Sequence, residues 1–325
     1  MAFPLQRTIG CIAMLENSQP LVEMSTPFIQ QQLPYCHCVT LSTIEDMLFF
    51  FNRKFALLQE MESFFYSSTN HLPLSHPRHI LDFWSNTPAR FSIPKILVIN
   101  QFPPSLDIRS LLELLTPWHG KRLLISNSTD VHFVSSLFNE EKINFFVSNI
   151  KGNFVQNMIE GISKLLLDYT APIDCLHPWS FTLLPWQITL LKDQALALQL
   201  ASIASDQCEY FVIGNPFGVL LLDFDGSVRW IQIETTQTLH QAAALAQSSG
   251  LSVEVCDCVR EDSSISSAAI DAALGLKRTA LYATSSTMRI ASMNLSAFTA
   301  CFSLDQEDSA FKTTCYNAWR DRQNT

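Results

Sequence analysis

Between residues 95 and 148 the chain alternates two textures. KILVI (95–99), KRLLIS (121–126) and INFFVS (143–148) are short apolar runs, rich in the β-branched and aromatic residues of strands buried on both faces. Between them, DIRSLLELLTPW and TDVHFVSSLFNEE space their apolar residues three and four apart, which is the stripe of an amphipathic helix. Upstream, PLVEM (20–24) reads as a strand before a Pro-opened helix, PFIQQQL. CHCVTL (36–41) reads as a strand before the long helix TIEDMLFFFNRKFALLQEMESFFY, and FVQNMIEGISKLLLDY (154–169) closes the series. Five strand-then-helix repeats predict an α/β fold, a doubly wound parallel five-stranded sheet with helices on both faces. KILVI, the most apolar run, is expected at its centre.

The stretch before KILVI, about 66–94, is too long and too rich in Pro and Asn for an ordinary connection and is expected to be an inserted loop or lid. Its His71, His76 and His79 lack matching Cys or carboxylate spacing, so no metal is assigned to them. Residues 171–206 read as a linker and bridging helix. PWQITLLKDQALALQLASIAS has helical composition, and its apolar positions cover enough of the circumference to pack between domains, against a second copy or in a core. Residues 207–325 predict a smaller mixed α+β domain. EYFVIGN, GVLLLDFDGS and VRWIQIE form an antiparallel meander with a hairpin turn at Asp225-Gly226-Ser227. TLHQAAALAQSSG and SSAAIDAALG read as helices, and VEVCDCV, TALYAT and MRIASM as strands.

Composition narrows the function classes. The 325 residues suffice for about two domains. At 47% hydrophobic and 16% charged the chain is apolar, yet no run reaches the roughly 18 residues of a membrane span, so a soluble protein with no membrane partner is expected. The net charge of −9 and the scattering of its 21 basic residues argue against a nucleic-acid partner. The N-terminal stretch lacks the h-region and cleavage site of a secretory signal, and nine cysteines do not suggest a disulfide framework, so a reducing cytoplasm is expected. The pairs Cys36/Cys38 and Cys256/Cys258 could offer thiolates to zinc, but both lie in alternating strand patterns where cysteine serves as a small core residue; no metal is assigned.

The candidate chemistry centres on Asn100, where KILVI stops. In open α/β sheets the carboxyl ends of the strands form the crevice where ligands and reacting groups gather. An Asp there could hold Mg²⁺ or accept a phosphoryl group; an Asn amide cannot form an acyl phosphate. The plainer reading of Asn100 is a turn former, and either reading excludes phosphorylation at this position. The chain has no Gly-rich phosphate loop, no G-x-S-x-G elbow and no convincing carboxylate pair, so no catalytic residue and no cofactor are nominated. LLLDFDGS is similar to the nucleophile strand of aspartate-based phosphatases, but the same residues make a hairpin turn, which is the favoured reading.

The order of elements, together with RFSIPKILVIN and SLFNEEKINFFVSNIKGNFVQNMIEGISKLLLDY, resembles the receiver domain of bacterial response regulators. The likeness covers about residues 18–168 of a receiver-like domain spanning 1–170, and implies the flavodoxin-like version of the predicted sheet. It is nearest to a subgroup whose fourth helix and fifth strand read like FN-x-G-x-I. EYFVIGNPFGVLLLDFDGSVRW resembles the C-terminal part of the same subgroup, which includes regulators of the Legionella quorum-sensing type. Working receivers use an acidic pair, an acceptor Asp, a hydroxyl and a lysine. The resemblance places these at Glu23-Met24, Asn100, Ser126 and Asn149, with only Ser126 matching fully. Lys151, two residues past Asn149, and Asp107 in the following loop are further possible ligand contacts. The resemblance implies a non-phosphorylatable pseudo-receiver that acts in signal transduction through protein contacts as a homodimer. The alternative is a nucleotide or small-ligand sensor using the same crevice.

Overall fold

The computed structural model describes residues 2–16, 19–33, 36–66, 76–100, 107–115, 118–127, 130–149, 153–167, 183–248, 264–266, 268–275, 284–286, 288–291, 296–304 and 315–323. The chain divides into two compact units. One comprises residues 9–63 and 89–169, the other residues 1–8, 64–88 and 170–325.

The first two-residue strand, β1 (Gln6–Arg7), belongs to the second unit. The first unit begins at β2 (Cys11–Leu15), with every residue buried. Then follow α1 (Gln19–Gln32), β3 (His37–Leu41) and α2 (Ile44–Tyr66). Residues 20–24, expected as the opening strand, lie inside α1. The strand is CIAML, whose five consecutive apolar residues fill the buried position between β3 and the next strand of the sheet.

After α3 (Pro77–Asn86), which belongs to the second unit, a short 3₁₀ turn leads into β4 (Pro94–Asn100). The remaining elements of the first unit are α4 (Ile108–Leu114), β5 (Lys121–Ser126), α5 (Val131–Asn139), β6 (Phe145–Ser148) and α6 (Phe154–Leu167). The sheet is wholly parallel in the order β3-β2-β4-β5-β6, with the KILVI strand at its centre as its apolarity required. Alternate residues face opposite layers. Ala13, Leu15, Leu97 and Ile99 pack with α2, α4 and α5, while Ile12, Met14, Ile96 and Val98 pack with α1 and α6.

Helix α5 ends in a Schellman motif. The Lys142 N–H donates to the Leu137 carbonyl and the Glu141 N–H to the Phe138 carbonyl, with Glu141 in the left-handed region at φ 55°. That position favours glycine, because a side chain there crowds its own carbonyl. The Glu141→Gly variant is therefore expected to be more stable by about 1 kcal/mol, read as a higher urea midpoint at unchanged m-value.

In the second unit, α7 (Pro185–Leu191) and α8 (Gln194–Ala204) replace the single bridging helix read from the sequence. Asp193 divides them: its carboxylate accepts from the Ala195 and Leu196 N–H groups and caps α8. The meander forms as expected from β7 (Glu209–Gly214), β8 (Phe217–Leu222) and β9 (Val228–Thr235), followed by α9 (Thr236–Ser248). Further along lie β10 (Ser264–Ser266), a helix at Ala268–Leu274, β11 (Thr284–Ser286), β12 (Met288–Ala291), β13 (Ser296–Ser303) and a helix at Tyr316–Gln323. The main sheet is antiparallel in the order β1-β7-β8-β9-β13-β12.

SAFTACFS, in which Ser, Thr and Cys dilute the alternation of a strand, is β13 and pairs with β9 over seven residues. Helices α7 and α8 cover one face of this sheet, burying Leu190, Leu191, Leu196 and Leu200 against Val212, Leu221 and Ile231. Within the stretch expected as a lid, α3 is a core element of this unit. Its Phe83 and Trp84 are fully buried against Phe211 of β7, with ring centroids 6.3 and 5.8 Å away. The expected strand at 253–259, with Cys256 and Cys258, and all of the expected strand TALYAT (279–284) except Thr284, which opens β11, lie outside the described residues, as does His71.

Candidate functional site

The carboxyl ends of the five parallel strands bring the candidate residues to one edge of the sheet. Asn100 is the last residue of β4 and pairs with Ile125; Ser126 is the last of β5 and pairs with Ser148 of β6. Asn149 follows β6 directly, and its N–H donates to the Ser126 carbonyl at 3.1 Å. Ser126 is buried. Asn100, Ser126 and Asn149 therefore stand at the carboxyl ends of three adjacent strands.

Glu23 and Met24 do not join them at a strand end, because both lie within α1. The acidic residue at the end of the first parallel strand is Glu16. Its N–H donates to the Leu41 carbonyl at 3.0 Å, and its side chain is 6% exposed. The Asn100 amide, Nδ2, donates to the Glu16 carboxylate Oε2. GCIAMLEN carries the signal for this: an apolar strand ending in a carboxylate, with Glu16 seven residues before the Glu23 of PLVEM.

Around this pair Met14, Leu15, Ser25, Val98, Ile125, Phe154 and Met158 enclose a cavity of ≈ 10 Å³, about the space of one water molecule. The amide neutralises no charge, but it supplies the hydrogen bond that a buried carboxylate requires.

Asp107 has another task. It caps α4, accepting from the Arg109 N–H at 3.1 Å and from the Ser110 hydroxyl. The Ser110 hydroxyl, helped by the backbone N–H groups of Arg109 and Ser110, holds its carboxyl below the ordinary range. Lys151 lies outside the described residues.

The other motifs resolve into structure. Cys36 and Cys38 pack against the core on the α1/α6 side of the sheet, and burial, reinforced by the neighbouring Cys36 and Cys11, pushes the Cys38 thiol up to about 12. Among the described residues no group of three or more His, Cys, Asp or Glu side chains is placed to hold a metal ion. In DFDG, the Asp223 N–H donates to the Ser227 carbonyl, and the Ser227 hydroxyl donates to Asp223 Oδ2 at 2.9 Å and Asp225 Oδ1 at 2.8 Å. Asp223 also pairs with Arg229 at 3.2 Å. Both carboxylates are thus engaged within the β8–β9 hairpin, which is the turn expected from the sequence. No helix among the described residues is long and apolar enough to cross a membrane.

No protein-family model and no curated protein matches the chain. Solved structures do. The Methanospirillum hungatei response regulator receiver domain protein (CheY-like) aligns at TM-score 0.30 and 7% identity, covering 49% of this chain and 94% of its own. The Legionella pneumophila response regulator LqsR aligns at TM-score 0.72 and 15% identity, over 99% of this chain and 97% of its own. At that identity the likeness is one of fold, and it extends across both units: the chain has the fold of a response regulator, a five-stranded parallel receiver sheet with an additional α+β unit.

Proposed function

We propose that this chain is a response-regulator-like signalling protein whose receiver unit takes up no phosphoryl group and which acts through protein contacts, including with a second copy of itself. The observation that carries the reading is Asn100. It stands at the end of the central strand, where a receiver of this fold would present its acceptor, and an amide oxygen cannot be converted to an acyl phosphate. Two further features support it. Among the described residues the crevice holds one acidic side chain, Glu16, already engaged by the Asn100 amide, and at Asn149, which the resemblance aligns with the receiver lysine, an amide offers no charge to phosphoryl oxygens.

Intact-mass measurement after incubation with Mg²⁺ and a small phosphodonor tests the reading. No phosphoryl adduct is expected on the native chain, and an adduct mapped to residues 95–107 would overturn it. Light scattering at tens of micromolar tests self-association, for which a strict monomer is the contrary result.

A further inference from the structure

The opposite edge of the parallel sheet, at the amino ends of β5 and β6, carries a second concavity, separate from the Asn100 crevice. It is a groove of ≈ 780 Å³ bounded by Leu112 of α4, the loop Trp118–Gly120, Lys121 and Arg122 of β5, and the segment Phe138–Asn144 that follows α5. That volume is in the range of small-molecule sites.

Its polar groups are unevenly satisfied. Lys142 is held by Glu113 at 2.9 Å and Glu140 at 3.3 Å, and Glu140 is shared with Arg109 at 2.9 Å. Arg122 has no such partner. Its Nη2 donates to the Leu115 and Trp118 carbonyls at 2.9 and 2.8 Å, its guanidinium lies 5.4 Å from the centre of the Trp118 ring, and no carboxylate among the described residues pairs with it. Its Nε is buried without an acceptor among the described residues. Burial lowers the pKa of this group.

The guanidinium is also held in place. The Trp118 indole N–H donates to the Pro94 carbonyl at 3.1 Å, and its ring packs edge-on against Phe51, 4.9 Å away. Gly120 lies so close that a Cβ there would stand 2.0 Å from the Trp118 ring, so the loop can cross the indole only without a side chain. A planar cation fixed on an aromatic ring, on a residue that lines a groove with Leu112, Phe138 and Ile143 in its walls, matches a ligand with an anionic head and an apolar body.

We propose that this groove binds a small organic anion, a carboxylate or phosphate ester on an apolar body, with Arg122 as the anion-recognising residue. Glu141, exposed at the rim, sets a repulsive charge against such a ligand and weakens its binding. The site lies in the same unit as the Asn100 crevice but shares none of its residues, so it stands or falls independently of the signalling reading.

The test is a titration of the full chain with phenyl phosphate, inorganic phosphate and benzyl alcohol, followed by amide shifts of residues 118–122 and 138–144. Phenyl phosphate is expected to shift both segments saturably, inorganic phosphate at least tenfold more weakly, and benzyl alcohol not at all. Arg122→Gln should weaken phenyl phosphate binding at least tenfold. Since that variant also loses two backbone contacts, the second arm is Glu141→Gln, which leaves the floor of the groove intact and should tighten binding two- to fivefold. No saturable shift at 20 mM phenyl phosphate would overturn the proposal, and so would an affinity unchanged in the Glu141→Gln protein.

Discussion

Asn100→Asp is expected to lower the stability of the parallel-sheet unit at pH 7, without divalent ions, by about 3 kcal/mol, the scale seen when a buried charge loses its compensation. In the native chain the Asn100 amide donates to the buried Glu16 carboxylate, and the surrounding cavity of ≈ 10 Å³ has no room for a hydration shell. The substitution removes the donor and sets a second carboxylate against the first, and two such groups cannot both be ionised without penalty. One of the pair would then titrate higher in the folded than in the unfolded chain. Stability is therefore retained below the ordinary carboxylate range near pH 4 and is lost as pH rises above it. The double variant Glu16→Gln/Asn100→Asp restores an amide–carboxylate pair in the reverse sense and should recover most of the loss. A single variant as stable as the parent at pH 7 in chelator would show that Glu16 and Asn100 are not the coupled pair described. The same experiment with Mg²⁺ added should return part of the loss, because a dication compensates two carboxylates where an amide compensated one.

Trp84→Ala is expected to destabilise the second unit by about 4 kcal/mol, as large-to-small changes of a buried tryptophan do. Trp84 is fully buried and packs on Phe211 of β7, and neighbouring Phe83 makes an edge contact with the same ring. Were α3 a mobile lid, its truncation would leave the sheet intact. As a core helix, its loss opens the face of β7. Hydrogen exchange of the Phe211–Ile213 amides reads the difference directly: protection falling by two or more orders of magnitude is expected, and unchanged protection would return α3 to the role of a surface insertion.

These two cases mark what could be read from the amino acids alone. Most of the parallel sheet is legible because its inner strands β4 and β5 are largely buried and so write themselves as apolar runs. The central place of KILVI and the stacking of Asn100, Ser126 and Asn149 at one edge follow from that pattern and from the fixed hand of β-α-β crossovers. The C-terminal meander was legible for a related reason: alternation and the DFDGS turn are both local signals.

The rest was settled by contacts distant in sequence. CIAML and PLVEM are both short apolar runs with a carboxylate near the end. Only pairing to β3 and β4 makes the first a strand, while the second becomes part of a helix that packs against that sheet. The hydrogen bond from Asn100 to Glu16 joins residues 84 positions apart, and no local pattern encodes it. Helix α3 reads as a polar, proline-flanked insertion until Phe211, more than 120 residues later, supplies the surface that buries Phe83 and Trp84. Sequence by itself determined the repeating strand-helix order and the amide at the end of the central strand, because period and residue chemistry are local properties. Tertiary structure decided which carboxylate meets that amide and which unit claims the insertion, because burial is a property of the surfaces brought together.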